Sequence, residues 1–198
     1  PNASNKAVPR DATSKFYNLT LYSSGLAGLG ATGSPTLTQG TYTISGAGGP
    51  DVGAFTARVD FPGEFVWSNQ DAIRDPIPRG SDLRITWTGG GTGLVGIAGA
   101  ALAQTGGTQQ NPIYTATAFG CAAPASAGSF TVPSSVLQQL PAVSGDMTSG
   151  SFGTLSVLAV PDATKGQGVF SAPLTAGGTI DQGFFFYSVG LMKMTGYN

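Results

Sequence analysis

The residue types that perform acid–base and nucleophilic chemistry are nearly missing from this chain. Its 198 residues include no histidine, a single cysteine (Cys121) and a single glutamate (Glu64). Without imidazole neither a Ser-His-Asp nor a Cys-His system can be built, because the general base is missing. Zinc sites that use imidazole are excluded, and one cysteine cannot supply a thiolate site. The sequence therefore predicts no enzyme, and no catalytic, cofactor-binding or metal-binding residue is assigned.

Other routes to catalysis need spacings that the sequence does not offer. The S-x-x-K spacing is absent at every lysine, and no G-x-x-x-x-G-K-[ST] run is present. Glycoside hydrolysis needs two facing carboxylates, and only the presence of acidic residues supports it. A serine and a lysine brought together by the fold remain conceivable, so an enzyme is the last of three functional hypotheses.

Charged residues concentrate between Arg58 and Arg84. The preferred interpretation is a solvated loop with exposed ion pairs, each of which stabilises little. A second is a Ca²⁺ site formed by Asp71, Asp75 and Asp82, although no D-x-D-x-D-G loop is present and neighbouring arginines oppose a cation. A third is a charged contact patch that sets the register between subunits. The nine residues are Arg58, Asp60, Glu64, Asp71, Arg74, Asp75, Arg79, Asp82 and Arg84.

The overall composition is that of a folded chain with few charges. Hydrophobic residues make up 40% and charged residues 10%, with a net charge of −1. Basic residues are scattered, which argues against nucleic-acid binding. A surface so poor in charge repels its own copies weakly. The longest uncharged apolar stretch, 94–103, is shorter than the roughly 20 residues of a membrane helix, so no membrane span is predicted.

The elements that would position these residues are mostly strands. Alternating apolar residues, cut by Gly, Pro, Ser and Asp turns, indicate a β-sandwich or barrel. Residues 133–140 predict one helix of about two turns, with Ser135 as cap and Pro141 as stop. The run 183–194 is apolar on both faces and predicts a central strand covered on both sides. The other predicted strands are 15–22, 41–45, 54–61, 83–88, 93–101, 113–121, 129–132 and 151–160.

The first residues of the chain differ in composition from the rest. Residues 1–14 are polar and lack a sustained apolar period, so they predict an extended N-terminal arm ahead of a single domain at 15–198. The chain begins Pro-Asn-Ala-Ser rather than with Met, as a mature form does after its leader is removed. Secretion or a cell-surface location is therefore expected.

Four runs within 51–198 carry a resemblance to known proteins: DVGAFTARVDFPGEFVWSNQDAI, LRITWTGG, AGSFTVPSSVLQQLP and DQGFFFYSVG. With them the chain resembles a group of secreted, largely uncharacterised proteins of acidobacterial type. The resemblance implies secretion and an immunoglobulin-like β-sandwich, and it carries over no active site. The predicted fold is thus an all-β, immunoglobulin-like β-sandwich with long Gly-rich loops and one short helix near 133–140.

Aromatic residues and the cysteine leave alternatives open. Trp67 and Trp87 are predicted to lie in the core, as sandwich tryptophans often do. Tyr114 and Phe119 lie near polar loops, and an exposed aromatic row would stack on sugar rings. Cys121 is interpreted first as a small buried apolar residue and second as an intermolecular bridge.

Three functions follow from these observations, in order of preference. The first is a non-catalytic extracellular structural protein that polymerises with copies of itself, as a filament or surface-layer subunit, through strand donation from residues 1–22. The second is a module of the cell surface that binds polysaccharide or another ligand. The third is an enzyme whose catalytic residues match none of the motifs considered above.

Overall fold

A computed structural model of the chain describes residues 7–14, 38–108, 110–145 and 150–198. Antiparallel strands dominate it, which confirms the all-β prediction; the immunoglobulin-like topology remains a prediction. The residues group into two compact units, unit 1 from residues up to 64 with 161–186, and unit 2 from 65–160 with 187–198. The arm and the single domain at 15–198 stay predictions, and the predicted strand 15–22 lies outside the described residues. The strands are β1 (Gly40–Gly46), β2 (Phe55–Phe61), β3 (Phe65–Trp67), β4 (Leu83–Gly89), β5 (Leu94–Gly107), β6 (Pro112–Pro124), β7 (Ser129–Val132), β8 (Phe152–Val160), β9 (Val169–Phe170), β10 (Gly183–Phe184) and β11 (Val189–Thr195).

Unit 2 is built from two antiparallel sheets. The larger has four strands in the order β11-β8-β5-β6, and the smaller has three in the order β3-β4-β7. Alternate residues of β5 and β8 are buried, including Val95, Ile97, Leu155 and Val157, because successive side chains on a strand face opposite ways. These residues join the inward residues of β3, β4 and β7 in one hydrophobic core.

Both tryptophans lie in this core, as predicted. Trp67 and Trp87 sit directly opposite each other on β3 and β4, and each is 3% exposed. The indole N–H of Trp67 donates to Asn69 Oδ1 at 3.1 Å, and that of Trp87 donates to the Ala125 carbonyl at 2.8 Å. Each buried indole therefore keeps a hydrogen-bond partner, which burial of a polar group requires.

The predicted helix is shorter than expected and is capped differently. It forms a single turn, α1 (Ser134–Leu137), followed by a turn rather than a second helical turn. Ser135 lies inside this turn and is not its cap. Instead Asp82, 52 residues earlier in the chain, accepts a hydrogen bond from the Ser134 backbone N–H at 2.8 Å. A carboxylate near a helix start satisfies one of the amides left free there, and no local pattern reveals such a distant partner.

The run 183–194 is not one central strand, and this prediction is wrong. The chain pairs as β10 with β9, leaves strand geometry over 185–188, and pairs again as β11 with β8. β11 is an edge strand of its sheet. Phe184, Phe186 and Met192 are 58%, 70% and 61% exposed. The apolar residues of this run therefore belong to two strands in different sheets, and several of them are exposed. They do not mark one strand that is buried on both faces.

The residues after β11 are anchored in the core of unit 2 by Tyr197. Its side chain is fully buried, and its hydroxyl donates to the Thr154 carbonyl at 2.7 Å. The ring lies against Gly153, where a Cβ atom would approach it to 2.6 Å. Glycine is required there because any side chain would occupy the space of the ring.

Unit 1 contains two small antiparallel sheets. β1 and β2 pair over their full length, and β2 buries Ala57, Val59 and Phe61 as the predicted alternation requires. The rings of Phe55 and Phe170 stack with centroids 4.3 Å apart. Near β9 a short turn is closed by Asp162, and the hydrogen bond from the Thr164 hydroxyl holds the pKa of this carboxyl below its ordinary value.

Candidate functional site

The three aspartates of the hypothetical Ca²⁺ site do not come together. Asp75 accepts hydrogen bonds from the Thr195 hydroxyl at 3.0 Å and from the Gly196 N–H at 2.9 Å. Asp82 caps α1, and Asp71 is exposed in a 3₁₀ turn. Nowhere in the described part of the chain do three His, Cys, Asp or Glu residues form a group that could hold a metal ion. Asp75 and Asp82 bind the chain itself, so the geometry gives the Ca²⁺ interpretation no support.

The charged stretch 58–84, all of which is described, forms no ion pairs within 4 Å, contrary to the preferred interpretation. Its charges bond instead to backbone and hydroxyl groups. Asp60 accepts from the Thr41 hydroxyl at 2.7 Å, and Arg79 donates to the Leu140 carbonyl at 2.6 Å. These charged side chains therefore link segments of the same chain, and a contact patch between subunits remains only a prediction.

One polar residue that the sequence did not single out organises the β3–β4 pair. Asn69 Oδ1 accepts from the Thr86 N–H at 2.9 Å as well as from the Trp67 indole, and its amide nitrogen donates to the Arg84 carbonyl at 2.8 Å. These bonds continue the ladder beyond the end of β3. Asn69 lies two residues after β3, where Asn is a common turn residue, so its position along the chain carried no distinctive signal.

The other two aromatic residues differ in exposure. Tyr114 is 42% exposed on β6, whereas Phe119 is half-buried and packs against the core. Together with the buried tryptophans they form no exposed row for stacking on sugars. Cys121, also on β6, is half-buried against the core rather than fully buried, and burial raises the pKa of its thiol; an intermolecular bridge stays a prediction.

The most distinctive surface of unit 2 is the free edge of β6. This strand spans 13 residues and pairs only with β5. No backbone hydrogen bond between described residues reaches its other side along 113–123. Ile113 is 60% exposed, and most residues from there to Ala122 are exposed or half-buried. Their unpaired backbone groups form a template on which another strand can pair.

The face of the four-stranded sheet that points away from the core, here called the outer face, is free of charge. On β6 it carries the even-numbered residues Tyr114, Ala116, Ala118, Gly120 and Ala122, which lie opposite the outer residues of β5. Within all four strands of this sheet the one charged residue is Lys193, on the opposite face. A sheet with this composition is suited to contact with another apolar or neutral surface rather than to chemistry.

Unit 1 has an open depression of about 500 Å³ beside the β1–β2 pair. None of its lining residues ionises near neutral pH, so it holds no acid–base machinery. It is lined by Ser45, Gly46, Ala47, Ala54, Phe55, Thr56 and Ser171.

Comparisons with models of protein families, with curated proteins and with solved structures found no match. The resemblance to secreted acidobacterial proteins therefore remains a prediction. No helix in the described ranges has the length and apolar character to cross a membrane.

Proposed function

We propose that this chain is a non-catalytic structural protein of the cell exterior, which is secreted and assembles with copies of itself into a filament or surface layer. The observation that carries the proposal is the free edge of β6, which is long, uncharged and exposed. Natural proteins usually protect such an edge with a charge, a proline, a bulge or a covering loop. An edge left bare along most of a strand is best explained by a partner that pairs with it.

The low charge of the chain supports the same function. With nine basic and ten acidic residues, its copies carry little net charge and repel each other weakly. The outer face beside β6 adds an uncharged surface that tolerates close contact. Self-association therefore meets neither a charge barrier nor a blocked edge.

We propose that the polymer grows by donation of the segment 1–22 to an open sheet edge of another copy, since its residues 15–22 alternate as an edge-pairing strand does. Deleting residues 1–22 should abolish polymers in negative-stain micrographs of purified protein. Deleting only residues 1–14 is the matched control, because it removes the polar arm and keeps the alternating segment. Polymers of unchanged length after the larger deletion would rule out this donor.

A second candidate function is polysaccharide binding, and one observation favours it. Phe184 and Phe186 lie two residues apart in unit 1 and are 58% and 70% exposed. Exposed aromatic faces are suited to stacking on sugar rings. The candidate predicts retention of the protein on an insoluble glycan and loss of retention in the Phe184→Ala, Phe186→Ala double variant.

Met192→Ala is the control for this second candidate, because Met192 is equally exposed but is not aromatic. If the double variant and the control are retained alike, the aromatic pair does not bind the glycan. A wild-type protein that passes through unretained would eliminate polysaccharide binding as the function.

A further inference from the structure

We propose that β6 of one copy pairs antiparallel with β6 of a second copy about a two-fold axis at Ala118, which joins two four-stranded sheets into one of eight. This inference rests on the proposed function in taking another copy of the chain as the partner. It adds which strand forms the contact, the relative direction of the two strands and their register.

The first observation is that β6 lacks the usual protection of an edge strand. Between its terminal prolines, Pro112 and Pro124, it has no charged residue and no proline. The register shift of the β5–β6 pair lies at Gln104 and Gly106, next to Ile113, and leaves the rest of β6 regular. The free edge is therefore straight and unblocked over most of its length, as pairing with another strand requires.

The second observation is the distribution of side-chain size along β6. Its first end carries Ile113 and Tyr114, whereas its last end carries Gly120, Ala122 and Ala123; the large residue Phe119 lies next to the axis and faces the core. An antiparallel two-fold pair brings the large end of each strand against the small end of the other. The sequence of β6 is thus complementary to itself in this direction and not in the parallel one.

The register follows from the faces of the strand. Directly opposed residues share a face, so the outer-face residues, which have even numbers, must oppose even-numbered residues. Placing Ala118 opposite Ala118 of the second copy pairs all 13 residues, and Tyr114 then lies opposite Ala122. Every other register that keeps the faces aligned leaves residues at both ends unpaired.

Space for the tyrosine exists at the small end. A Cβ atom added to Gly120 would meet nothing within 4 Å, so the outer face is open beside this residue. Tyr114 of the second copy is diagonal to Gly120 in this register, and its ring reaches this space when it turns away from Gly150 of its own chain, beside which its hydroxyl lies. Aromatic side chains reach such diagonal neighbours across a strand pair.

A two-fold edge pair is closed, because each strand uses its edge on the other. A polymer therefore needs a second contact elsewhere, and the segment 1–22 is the one proposed above. The dimer and the polymer are separate consequences. Each can be observed without the other.

The test is disulfide crosslinking of the full chain. In a Cys121→Ala background, Ala118→Cys places two thiols opposite each other, where the Cα separation of about 4.5–5.5 Å lies within the range of a disulfide. Mild oxidation should convert most of the chain to a dimer of twice the 19.9 kDa chain mass on a non-reducing gel. Ala98→Cys in the same background is the control, because Ala98 is exposed on the same face but lies on β5.

The position of the crosslink reads the register. Ala116→Cys and Gly120→Cys should stay monomeric on the gel, because each would lie four residues from its own copy across the axis. A crosslink at 116 or 120 in place of 118, or none at any β6 position, would overturn the proposal. Crosslinking at 118 without polymers in micrographs would support the β6 dimer and contradict the proposed polymer. Polymers without this crosslink would support the polymer and contradict the β6 dimer.

Discussion

The two edges of the four-stranded sheet are protected very differently. β11 has seven residues, and the segment 70–79 is tied to it and to the residues that follow it. Lys193 on β11 donates to the carbonyls of Gln70 and Ile73 at 3.3 and 2.8 Å. Beyond the strand, Tyr197 forms bridges with both Ile77 and Val143. β6 is nearly twice as long and has no such cover among the described residues.

Along neither strand does a further backbone partner pair with the free edge among the described residues, so the difference lies in the charge of Lys193 and in the segment bonded beside β11. At β11 the chain uses a lysine, a covering segment and an inserted tyrosine, which are common means of protecting an edge. At β6 it places uncharged residues between two prolines. The asymmetry favours β6 as the contact between copies, and the predictions below test each side of it.

The largest effect is expected from Tyr197→Ala, which removes the anchor of the covered side. Loss of the buried ring should lower the free energy of unfolding by about 3–5 kcal/mol, as large-to-small core substitutions do. Urea unfolding followed by fluorescence measures it. Tyr197→Phe keeps the ring and loses the bond to Thr154, so it should cost only about 1 kcal/mol. Equal losses in the two variants would show that the ring does not hold this end of the sheet.

The second-largest effect is expected at the free edge of β6. Ala118→Lys places two like charges opposite each other across the proposed axis, which costs several kcal/mol in an interface and should raise the dimer dissociation constant by on the order of 100-fold or more. Met192→Lys is the matched variant on β11, exposed on the same face of the same sheet, and should leave the constant unchanged. Sedimentation equilibrium measures both. If Met192→Lys were the disruptive change, the contact would lie at β11.

A smaller effect is expected from Asp75→Ala, which frees the residues after β11. Loss of the bonds to the Thr195 hydroxyl and the Gly196 N–H should lower stability by about 2 kcal/mol. Amide hydrogen exchange should also accelerate at Gly196. Asp71→Ala, at an exposed aspartate, should change stability by less than about 0.5 kcal/mol. An equal response to both substitutions would mean that Asp75 does not secure the covered edge.

The smallest effect distinguishes the inner and outer faces of the four-stranded sheet. Burial raises the pKa of the Cys121 thiol, so less thiolate is present at a given pH than at an exposed cysteine, and alkylation requires higher pH. At pH 8 iodoacetamide should modify Cys121 several-fold more slowly than the exposed cysteine of the Cys121→Ala, Ala98→Cys variant. The rate for Cys121 should rise further as the pH increases beyond 9. Identical pH profiles would place Cys121 on an open surface.

Local patterns were sufficient for the interior of the fold. Alternation predicted β2, β4, β7 and β8 to within a residue or two, because a strand with one buried face needs an apolar residue at every second position. The glycine run 89–91 marks the end of β4, which closes at Gly89, and all three glycines adopt positive φ angles of 62–83°. The same patterns placed Trp67 and Trp87 in the core.

Other features depend on residues that are distant in the chain. The cap of α1 comes from Asp82 rather than Ser135, and the run 183–194 divides between two sheets. Two of the three aspartates of the hypothetical cation site, Asp75 and Asp82, accept hydrogen bonds from separate backbone amides. The neighbouring sequence predicts none of these contacts, because the partner residue in each case comes close only when the chain folds.

For the candidate site, the sequence by itself predicted an uncharged strand at 113–121 and determined that histidine-based chemistry is impossible. Only the tertiary structure decided that this strand lies at the edge of its sheet, and that the segment 70–79 is bonded beside β11 at the other edge. The reason is that alternation records which face of a strand is buried. Whether the backbone groups at its side are paired depends on which other strands arrive there.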